Sequence, residues 1–498
     1  MFRRLIFALL TGLPILTISA GCGGPELNFR SHEKVATLAS TVAATNLENA
    51  LEEHFGTPNN LVAWGTLPID FGELRGTVLT ADGNSLRVKL DSEPDGLLTN
   101  IAAVIGTDNP SSRTATSYTP ATHMLELVPM ENAPPIAPGT AIRLVGHNLQ
   151  YGRQQYMQHC MHCHGVTGDG KGPTVSTGLA NHVFKPLPRD YRRGLFKFTS
   201  TKDGFLASRD DLARTIRQGL AGTYMPSFLL LKDRQVDAIV EYVRFLAMRG
   251  QIERQMLVHL QPLQRDADGK PPADLSSLEK ELAVDGFAEA FADAASLVAE
   301  NWTSADDPEN SVLPTSPRVP DTAASRRKGR DLFISTKINC AKCHGEGGRG
   351  NGGFLKDLQK NPETNEDYPV PGLHDDWHQI VTPRDLTSGI YRGGRRPLDV
   401  FRRVTVGVKA TPMAGFASVP EEDRWHIVNY VLSIPIDGAF FDEHGDQYHG
   451  GRDPHEGHDH SKPHSHESAR SSSQHSANTK STESSGSTPK DPDTPDKK

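Results

Sequence analysis

Cysteine is scarce in this chain, with only five among 498 residues. Four of them form two Cys-x-x-Cys pairs, at positions 160 and 163 and at positions 340 and 343, and the fifth is Cys22. No cysteine is left for a disulfide framework or a catalytic thiol. Beyond residues 5–18 there is no long apolar run, so no later segment is a candidate membrane span. The net charge of −8 is small for this length and gives no sign of nucleic-acid binding.

Each cysteine pair is followed at once by a histidine, His164 in the first and His344 in the second. Cys-x-x-Cys-His is the attachment sequence of c-type haem, in which both thiols form thioethers and the imidazole reaches the iron. A thioredoxin-like pair would need a βαβ context, and a zinc ribbon would space its two pairs by roughly 15–20 residues. The sequence therefore predicts two covalently bound haem c groups, attached through Cys160, Cys163, Cys340 and Cys343.

A helix signature precedes the first motif, because Gly152 and Tyr156 stand eight and four residues before Cys160. With the haem motif, this pattern resembles the first helix of class I cytochromes c. The resemblance implies two small α-helical haem domains, at residues 150–250 and 326–438, of the dihaem c-type kind found in bacterial respiratory electron transfer. Glycine lets a second helix, at residues 236–246, cross closely. Gly329 and Phe333 repeat the signature, with three extra residues before the second motif.

The second axial ligand of class I cytochromes c is a methionine from a loop, and an internal repeat identifies the candidates. Residues 211–246 align without a gap with residues 399–434, with ten identities over 36 positions. The identical pairs include Met225 and Met413, each six residues after an equally shared glycine. The two segments therefore represent one structural unit used twice. We expect Met225 and Met413 to complete the iron coordination opposite His164 and His344.

A second shared segment, Pro-Arg-Asp, lies between each haem motif and its methionine and contains Arg189 and Arg384. Haem propionates are anionic, so we expect these two guanidinium groups to contact them, with Arg214 and Arg402 as second choices. The resemblance also implies that a proline carbonyl accepts the N–H of the proximal imidazole. Pro173 is the candidate in the first unit, and no candidate is identified in the second.

The N-terminus is typical of an export signal, with two arginines before the apolar run at residues 5–18. The small residues that follow lead to Cys22 and resemble the lipobox of bacterial lipoproteins, although Ser19 stands where an aliphatic residue is usual. We expect residues 1–21 to be a lipoprotein signal peptide and Cys22 to be lipidated; an ordinary cleaved signal peptide is the alternative. The protein is then expected in the bacterial cell envelope, on the periplasmic face, anchored to a membrane.

The rest of the chain carries no chemical motif. A helix is predicted at residues 33–55, followed by strands at 77–80, 86–90, 124–128 and 141–145, so that residues 26–147 form a helix plus a β-rich module. Residues 251–325 are predicted to be a helical linker, with helix at 275–298. The His-rich segment 448–498 has too few apolar residues to order itself. The predicted fold class is mainly α, with two class I haem domains, a β-rich module and a disordered tail.

Histidine–methionine ligation fills both axial positions of a haem iron and leaves no place for a substrate. The sequence therefore predicts an electron carrier, without enzymatic activity, between redox partners outside the cytoplasm. We expect its donor and acceptor to be redox proteins of a membrane respiratory complex. The alternative is a dihaem enzyme such as a cytochrome c peroxidase, in which one iron keeps an open or histidine-bound face. The competing ligands would then be His182, His374, His378 and His426. A sensor role for the β-rich module has no supporting residue.

Overall fold

The computed structural model describes residues 28–94, 98–107, 110–176 and 186–437. The predicted signal peptide, the lipidation site Cys22 and the His-rich segment 448–498 lie outside these described residues. Helices make up 42 % of the structure. The N-terminal part also contains a six-stranded barrel. The prediction of a mainly α fold is thus confirmed only in part, because the β-rich module is a substantial domain of its own. Among the described helices, none combines the length and apolar character needed to cross a bilayer.

The first helix, α1, spans Thr41–Phe55 and follows one 3-10 turn at Glu33–Thr37. Its N-cap is Ser40, whose hydroxyl accepts the Ala43 N–H at 3.0 Å and so satisfies a free donor of the first turn. The apolar residues recur at helical spacing and are fully buried: Leu47, Leu51 and Phe55. The helix ends at Gly56, whose φ of +70° no β-carbon-bearing residue adopts easily. The predicted helix at 33–55 is therefore confirmed from residue 41 onward.

The β-rich module is a closed antiparallel barrel. Its strands are β1 (Glu73–Asp82), β2 (Ser85–Leu90), β3 (Leu98–Ile105), β4 (Ser111–Thr119), β5 (Met124–Leu127) and β6 (Ala141–Val145). Around the barrel they run β1-β2-β5-β4-β3-β6, and β6 pairs with β1 to close it. Closure leaves no free sheet edge. The four predicted strands are confirmed, and the hairpin turn at Gly83 and Asn84 joins β1 to β2 as expected.

Two barrel strands, β3 and β4, were absent from the sequence prediction. β4 reads Ser-Ser-Arg-Thr-Ala-Thr-Ser-Tyr-Thr, and its buried positions hold Arg113, Ala115 and Tyr118. Because only two of these are apolar, the alternation that marks a half-buried strand is weak in the sequence. The barrel supplies the missing apolar surface from the other strands, through Val78, Leu86, Val88, Leu125 and Leu144.

The first predicted haem domain is built from α2 (His147–His159), α3 (Met161–His164), α4 (Arg209–Gln218) and α5 (Asp233–His259). A connecting segment follows, with α6 (Leu275–Lys280), a π-helical turn at Glu281–Asp285 and α7 (Phe287–Asp306). The second domain repeats the first with α8 (Ala323–Ile334), α9 (Ala341–His344), α10 (Pro397–Val406) and α11 (Glu421–Asp437). The predicted helix at 236–246 is the first half of α5, which continues to His259 because its second half packs on α1 and α7. At that contact, the Trp302 indole N–H donates to Gln251 Oε1 at 2.6 Å.

A close helix crossing organises each haem domain. A Cβ built on Gly152 in α2 would lie 2.0 Å from the carbonyl oxygen of Ala238 in α5. The second domain repeats this crossing, since a Cβ on Gly329 would lie 2.0 Å from the carbonyl oxygen of His426. Only glycine allows two backbones to approach this closely. The aromatic residues one turn later pack across both crossings, with ring centroids 5.1 Å apart for Tyr156 and Tyr242.

We predict that Gly152→Ala destabilises the protein, because the added methyl group has no room against the α5 backbone. Overpacking of this kind costs about 1–3 kcal/mol. Denaturant unfolding of the haem-loaded protein, followed by circular dichroism, measures the change. Gly65→Ala is the matched control, since a Cβ there meets no atom within 4 Å. Equal stability of the two variants would contradict the close crossing.

Candidate haem sites

Each Cys-x-x-Cys-His motif forms a single helical turn. In the first, α2 ends at Cys160 and α3 carries Cys163 and His164, whose N–H donates to the Cys160 carbonyl at 3.0 Å. In the second, the His344 N–H donates to the Cys340 carbonyl at 2.9 Å. All four thiols are free, so neither pair has closed into a disulfide. In the first motif, both thiols and the imidazole line the same cavity.

Both imidazoles are oriented by a hydrogen bond to a distant backbone carbonyl. His164 Nδ1–H donates to the Arg189 carbonyl at 3.2 Å, and His344 Nδ1–H donates to the Arg384 carbonyl at 3.2 Å. Because the acceptor is a carbonyl, Nδ1 carries the proton and Nε2 keeps its lone pair. Burial lowers the pKa of His164 to about 4 and also lowers the pKa of His344. Each ring is therefore neutral and presents one metal-binding nitrogen.

The expectation that the Pro173 carbonyl accepts the imidazole N–H of the first motif is wrong. Pro173 instead begins a helical turn that ends at Ser176. The true acceptor is the residue after Pro188 in the shared Pro-Arg-Asp segment, and its counterpart follows Pro383. The repetition of this segment was the available signal, but a function was expected for its arginine side chains and not for its backbone. Its backbone, rather than its guanidinium group, contacts the imidazole.

The Pro-Arg-Asp segment is held in place by a glycine-rich loop. The Tyr191 N–H donates to the Gly168 carbonyl at 2.7 Å, and the Leu386 N–H donates to the Gly348 carbonyl at 2.7 Å. The aspartate of each segment caps the following 3-10 turn; Asp190, for example, accepts the Arg192 N–H at 3.0 Å. Gly168 and Gly348 both have φ near +70°, which glycine adopts without strain. The two loops thus position the two carbonyl acceptors in the same way.

The two methionine loops also share one geometry. In the first, the Thr223 hydroxyl accepts the Met225 N–H at 3.1 Å and donates to the Leu220 carbonyl at 2.7 Å. The Leu220 N–H in turn donates to the Met225 carbonyl at 3.1 Å. The second loop has the equivalent bonds around Met413, at 3.3 Å, 2.7 Å and 3.1 Å, from the equivalent residues Thr411 and Val408. The gap-free repeat seen in the sequence is therefore a repeat of structure.

The first imidazole and the first methionine line one cavity of about 410 Å³. The same cavity is lined by both thiols of the first motif. Its walls are mainly apolar, from Leu187, Tyr191, Phe196, Leu212, Ile216, Phe228, Ile239 and Val243. Two thiols, a neutral imidazole, a thioether and apolar walls are the set that a covalently bound haem requires. The residues present fit that group.

The predicted propionate contacts differ from one another. Arg189 lines the first cavity, and its guanidinium lies 3.6 Å from the ring centroid of Trp377 in the second domain. Arg384 does not line that cavity; its Nε–H donates to the Ile390 carbonyl at 2.6 Å. The second choices have other partners. Arg214 pairs with Asp211 at 2.9 Å, and Arg402 Nε–H donates to the Val312 carbonyl at 3.1 Å.

Three of the four histidines considered as competing ligands can be located, and the fourth, His182, lies outside the described residues. The His374 ring stacks on Tyr368, with centroids 3.7 Å apart, and His378 Nδ1 is 2.7 Å from the Tyr368 hydroxyl. His426 Nδ1 is 2.8 Å from the Ser325 hydroxyl at the second helix crossing. None of these three is among the residues that line the cavity around His164.

The two haem domains dock through equivalent helices, α4 and α10. Arg214 Nη1 of α4 lies 3.9 Å from Asp399 of α10, the residue that aligns with Asp211 in the repeat. Around this pair, cationic side chains of the second domain bind backbone carbonyls of the first. Arg403 donates to the carbonyls of Lys197 and Thr199, and Lys409 Nζ donates to the Thr201 hydroxyl at 2.6 Å. A unit that meets its own copy in this way makes a nearly self-complementary contact.

Comparison with known families agrees with this geometry. Residues 149–247 match the family model described as cytochrome c, and residues 324–431 match the model described as cytochrome c oxidase, cbb3-type, subunit III. No curated protein matches the chain significantly. One solved structure is similar: a chain of the reducing HAO-like protein complex of Kuenenia stuttgartiensis, at 24 % identity and a TM-score of 0.39. The match covers 57 % of this chain and 96 % of that chain.

The chain thus contains two cytochrome c domains, which support a c-type cytochrome. Such domains imply covalently bound haem c, and the two cysteine pairs are consistent with two haems. The matches also support a role in c-type haem electron transfer.

The methionine loops provide a test that does not depend on haem. We predict that Thr223→Val increases the hydrogen exchange rate of the Met225 amide roughly five- to tenfold, because the loop loses hydrogen bonds worth about 1 kcal/mol. Thr223→Ser keeps the hydroxyl and should exchange at the native rate. The Met413 amide in the same molecule is an internal reference. Unchanged exchange in Thr223→Val would mean that the threonine does not hold the loop.

Proposed function

We propose that this chain is a dihaem c-type cytochrome that carries single electrons between respiratory-chain partners outside the cytoplasm, and that it is not an enzyme. In this proposal His164 and Met225 are the axial ligands of the first iron, and His344 and Met413 are those of the second. The four cysteines of the two motifs hold the haems covalently. Arg189 contacts a propionate of the first haem, and Arg384 is the corresponding candidate for the second haem.

The observation that carries the proposal is that His164 and Met225 line one cavity together with Cys160 and Cys163. The second domain supports the same assignment, because His344 and Met413 lie on equivalent elements with equivalent hydrogen bonds. When bound, the haem supplies an iron that alternates between two oxidation states. His164 and Met225 would then hold that iron in the first domain, and no position would be left for a substrate.

The surroundings of the axial residues suit electron transfer. The hydrogen bond from His164 Nδ1 to the Arg189 carbonyl fixes the ring and makes the imidazole a better donor. The thioether of Met225 is a neutral ligand that favours the ferrous state and raises the reduction potential. The walls around these residues are mainly apolar. His164 is held by a backbone carbonyl and the Met225 loop by the Thr223 hydroxyl.

The cellular setting is proposed from the sequence and from one comparison. Attachment of haem c takes place outside the cytoplasm, and the N-terminal residues 1–21 have the features of a lipoprotein signal ending before Cys22. We therefore place the protein on the periplasmic face of the bacterial cell envelope, anchored to a membrane through Cys22. The second domain matches a model named for a subunit of cbb3-type cytochrome c oxidase. This supports a membrane respiratory complex as donor or acceptor.

Replacement of the methionines tests the proposal. We predict that Met225→Ala and Met413→Ala each remove the long-wavelength sulfur-to-iron absorption band of one ferric haem and leave the other haem unchanged. Both haems stay attached in either variant, because the thioether links are untouched. Met130→Ala is the control, since Met130 is exposed in the barrel domain.

Two results would contradict the proposal. The first is a sulfur band that keeps its full native intensity in both axial variants. The second is a high-spin ferric haem, or rapid cyanide binding, in the unmodified protein. Either finding in the EPR and absorption spectra would favour a dihaem enzyme such as a cytochrome c peroxidase, in which one iron has an accessible face.

A further inference from the structure

One side chain of the second domain belongs to the wall of the first domain's cavity. Arg392 lies in the loop between the 3-10 turn Leu386–Ser388 and α10, and it lines the cavity that contains His164 and Met225. The loop is pressed against the first domain: a Cβ on Gly393, whose φ is +85°, would lie 2.7 Å from the Phe198 ring. The cavity is therefore complete only when both domains are docked.

Arg392 has no counter-charge in the part of the chain that the structure describes. Its Nη2 donates to the Gly222 carbonyl at 3.4 Å, in the loop that leads to Met225. Its Nε is buried without a partner. No described carboxylate pairs with it, and Arg384 is the charged neighbour that acts on it, so its pKa is lowered by burial and by repulsion. A guanidinium that is half-buried without an anion is costly.

The other charged groups in the cavity wall do not supply that anion. Asp211 accepts the Ser200 N–H at 2.7 Å and pairs with Arg214 at 2.9 Å. Lys197 pairs with Asp375 at 2.7 Å. Arg189, the remaining cation of the wall, lies on Trp377. The carboxylates are thus already neutralised, and the cavity has a net excess of cationic groups.

A comparison of Arg392 with the equivalent residue of the first domain shows which kind of partner Arg392 lacks. Lys197 and Arg392 occupy equivalent positions, each seven residues after the aspartate of its Pro-Arg-Asp segment. Lys197 is matched by a carboxylate from the other domain, Asp375, whose side chain is 1 % exposed. Both side chains line the cavity, but Arg392 has no such match. An anionic group inside the cavity would provide the missing partner, and the planar fork of arginine suits a carboxylate.

We propose that Arg392, supplied by the second domain, binds a propionate carboxylate of the haem held by the first domain. The inference rests on the proposed function, since it requires a haem in the first cavity. Its consequence is a coupling between domain docking and the first redox centre. A cation near the haem opposes the extra positive charge of the ferric state, so the docked second domain raises the reduction potential of the first haem.

The experiment uses the full-length protein loaded with both haems, in three variants: Arg392→Gln, Arg392→Lys and Arg395→Gln. Covalent attachment keeps the haem in place in all of them. Arg395 is the matched control, because it lies in the same loop, is exposed and does not line the first cavity. Spectroelectrochemical titration measures both midpoint potentials. The Met225→Ala and Met413→Ala variants assign each potential to its haem.

We expect Arg392→Gln to shift the ferric-to-ferrous ratio of the first haem at a fixed applied potential about three- to tenfold toward ferric, equivalent to about 30–60 mV at 59 mV per tenfold. Arg392→Lys should shift the ratio less, since it keeps the charge but loses the fork. The second haem and the Arg395→Gln variant should change by less than about twofold. In Arg392→Gln, the potential of the first haem should also become more dependent on pH, because the propionate loses the cation that keeps it ionised.

The inference is wrong if Arg392→Gln leaves the ferric-to-ferrous ratio of the first haem within about twofold of its native value. It is also wrong if Arg395→Gln shifts that ratio as much as Arg392→Gln does. Equal shifts would mean a general charge effect without a direct contact. These outcomes are separate from failure of the proposed function. A sulfur band of undiminished intensity in Met225→Ala would disprove the axial assignment, whereas the potential of the first haem in Arg392→Gln reports only on the propionate contact.

Discussion

The structure of each haem domain depends on one hydrogen bond, from a buried imidazole Nδ1 to the carbonyl of the arginine in the Pro-Arg-Asp segment. A neutral imidazole has one donor and one acceptor nitrogen, so fixing the donor decides which nitrogen can bind a metal. The carbonyl is in turn held by the glycine-rich loop that starts directly after the histidine. The histidine, the loop and the carbonyl therefore form a closed set of contacts that orients the ring.

Much of this arrangement could be predicted from local sequence. The two haem motifs, the glycines at the helix crossings and the methionine loops each depend on residues close together in the chain, or on a repeat that aligns without gaps. The carbonyl acceptors could not be found in this way, because Arg189 is 25 residues from His164 and Arg384 is 40 residues from His344. A backbone carbonyl has no residue-type signature, so only its repeated setting in Pro-Arg-Asp pointed to it.

Other differences between the prediction and the structure arise from contacts between distant parts of the chain. Helix α5 runs past the predicted end at residue 246 because α1 and α7 bury its second half, which the pattern of the haem domain alone does not reveal. Arg189 and Arg384 share a motif but not an environment. The first lies on Trp377 of the second domain, and the second donates to the carbonyl of a neighbouring residue in its own loop. Equivalent residues of a repeat thus acquire different contacts when the two copies dock.

The different contacts of the two copies have a physical consequence for the proposed electron carrier. The docked helices α4 and α10 meet as near equivalents, yet the loops beside them do not, since Lys197 has a carboxylate partner and Arg392 does not. Burying an unpaired cation at a domain interface destabilises the docked state, because no opposite charge offsets its desolvation cost. The excess charge is therefore best explained by an anionic group within the first cavity. With the proposed haems bound, the two copies of the unit would be redox centres with unequal surroundings. The resulting difference in potential would favour electron flow in one direction.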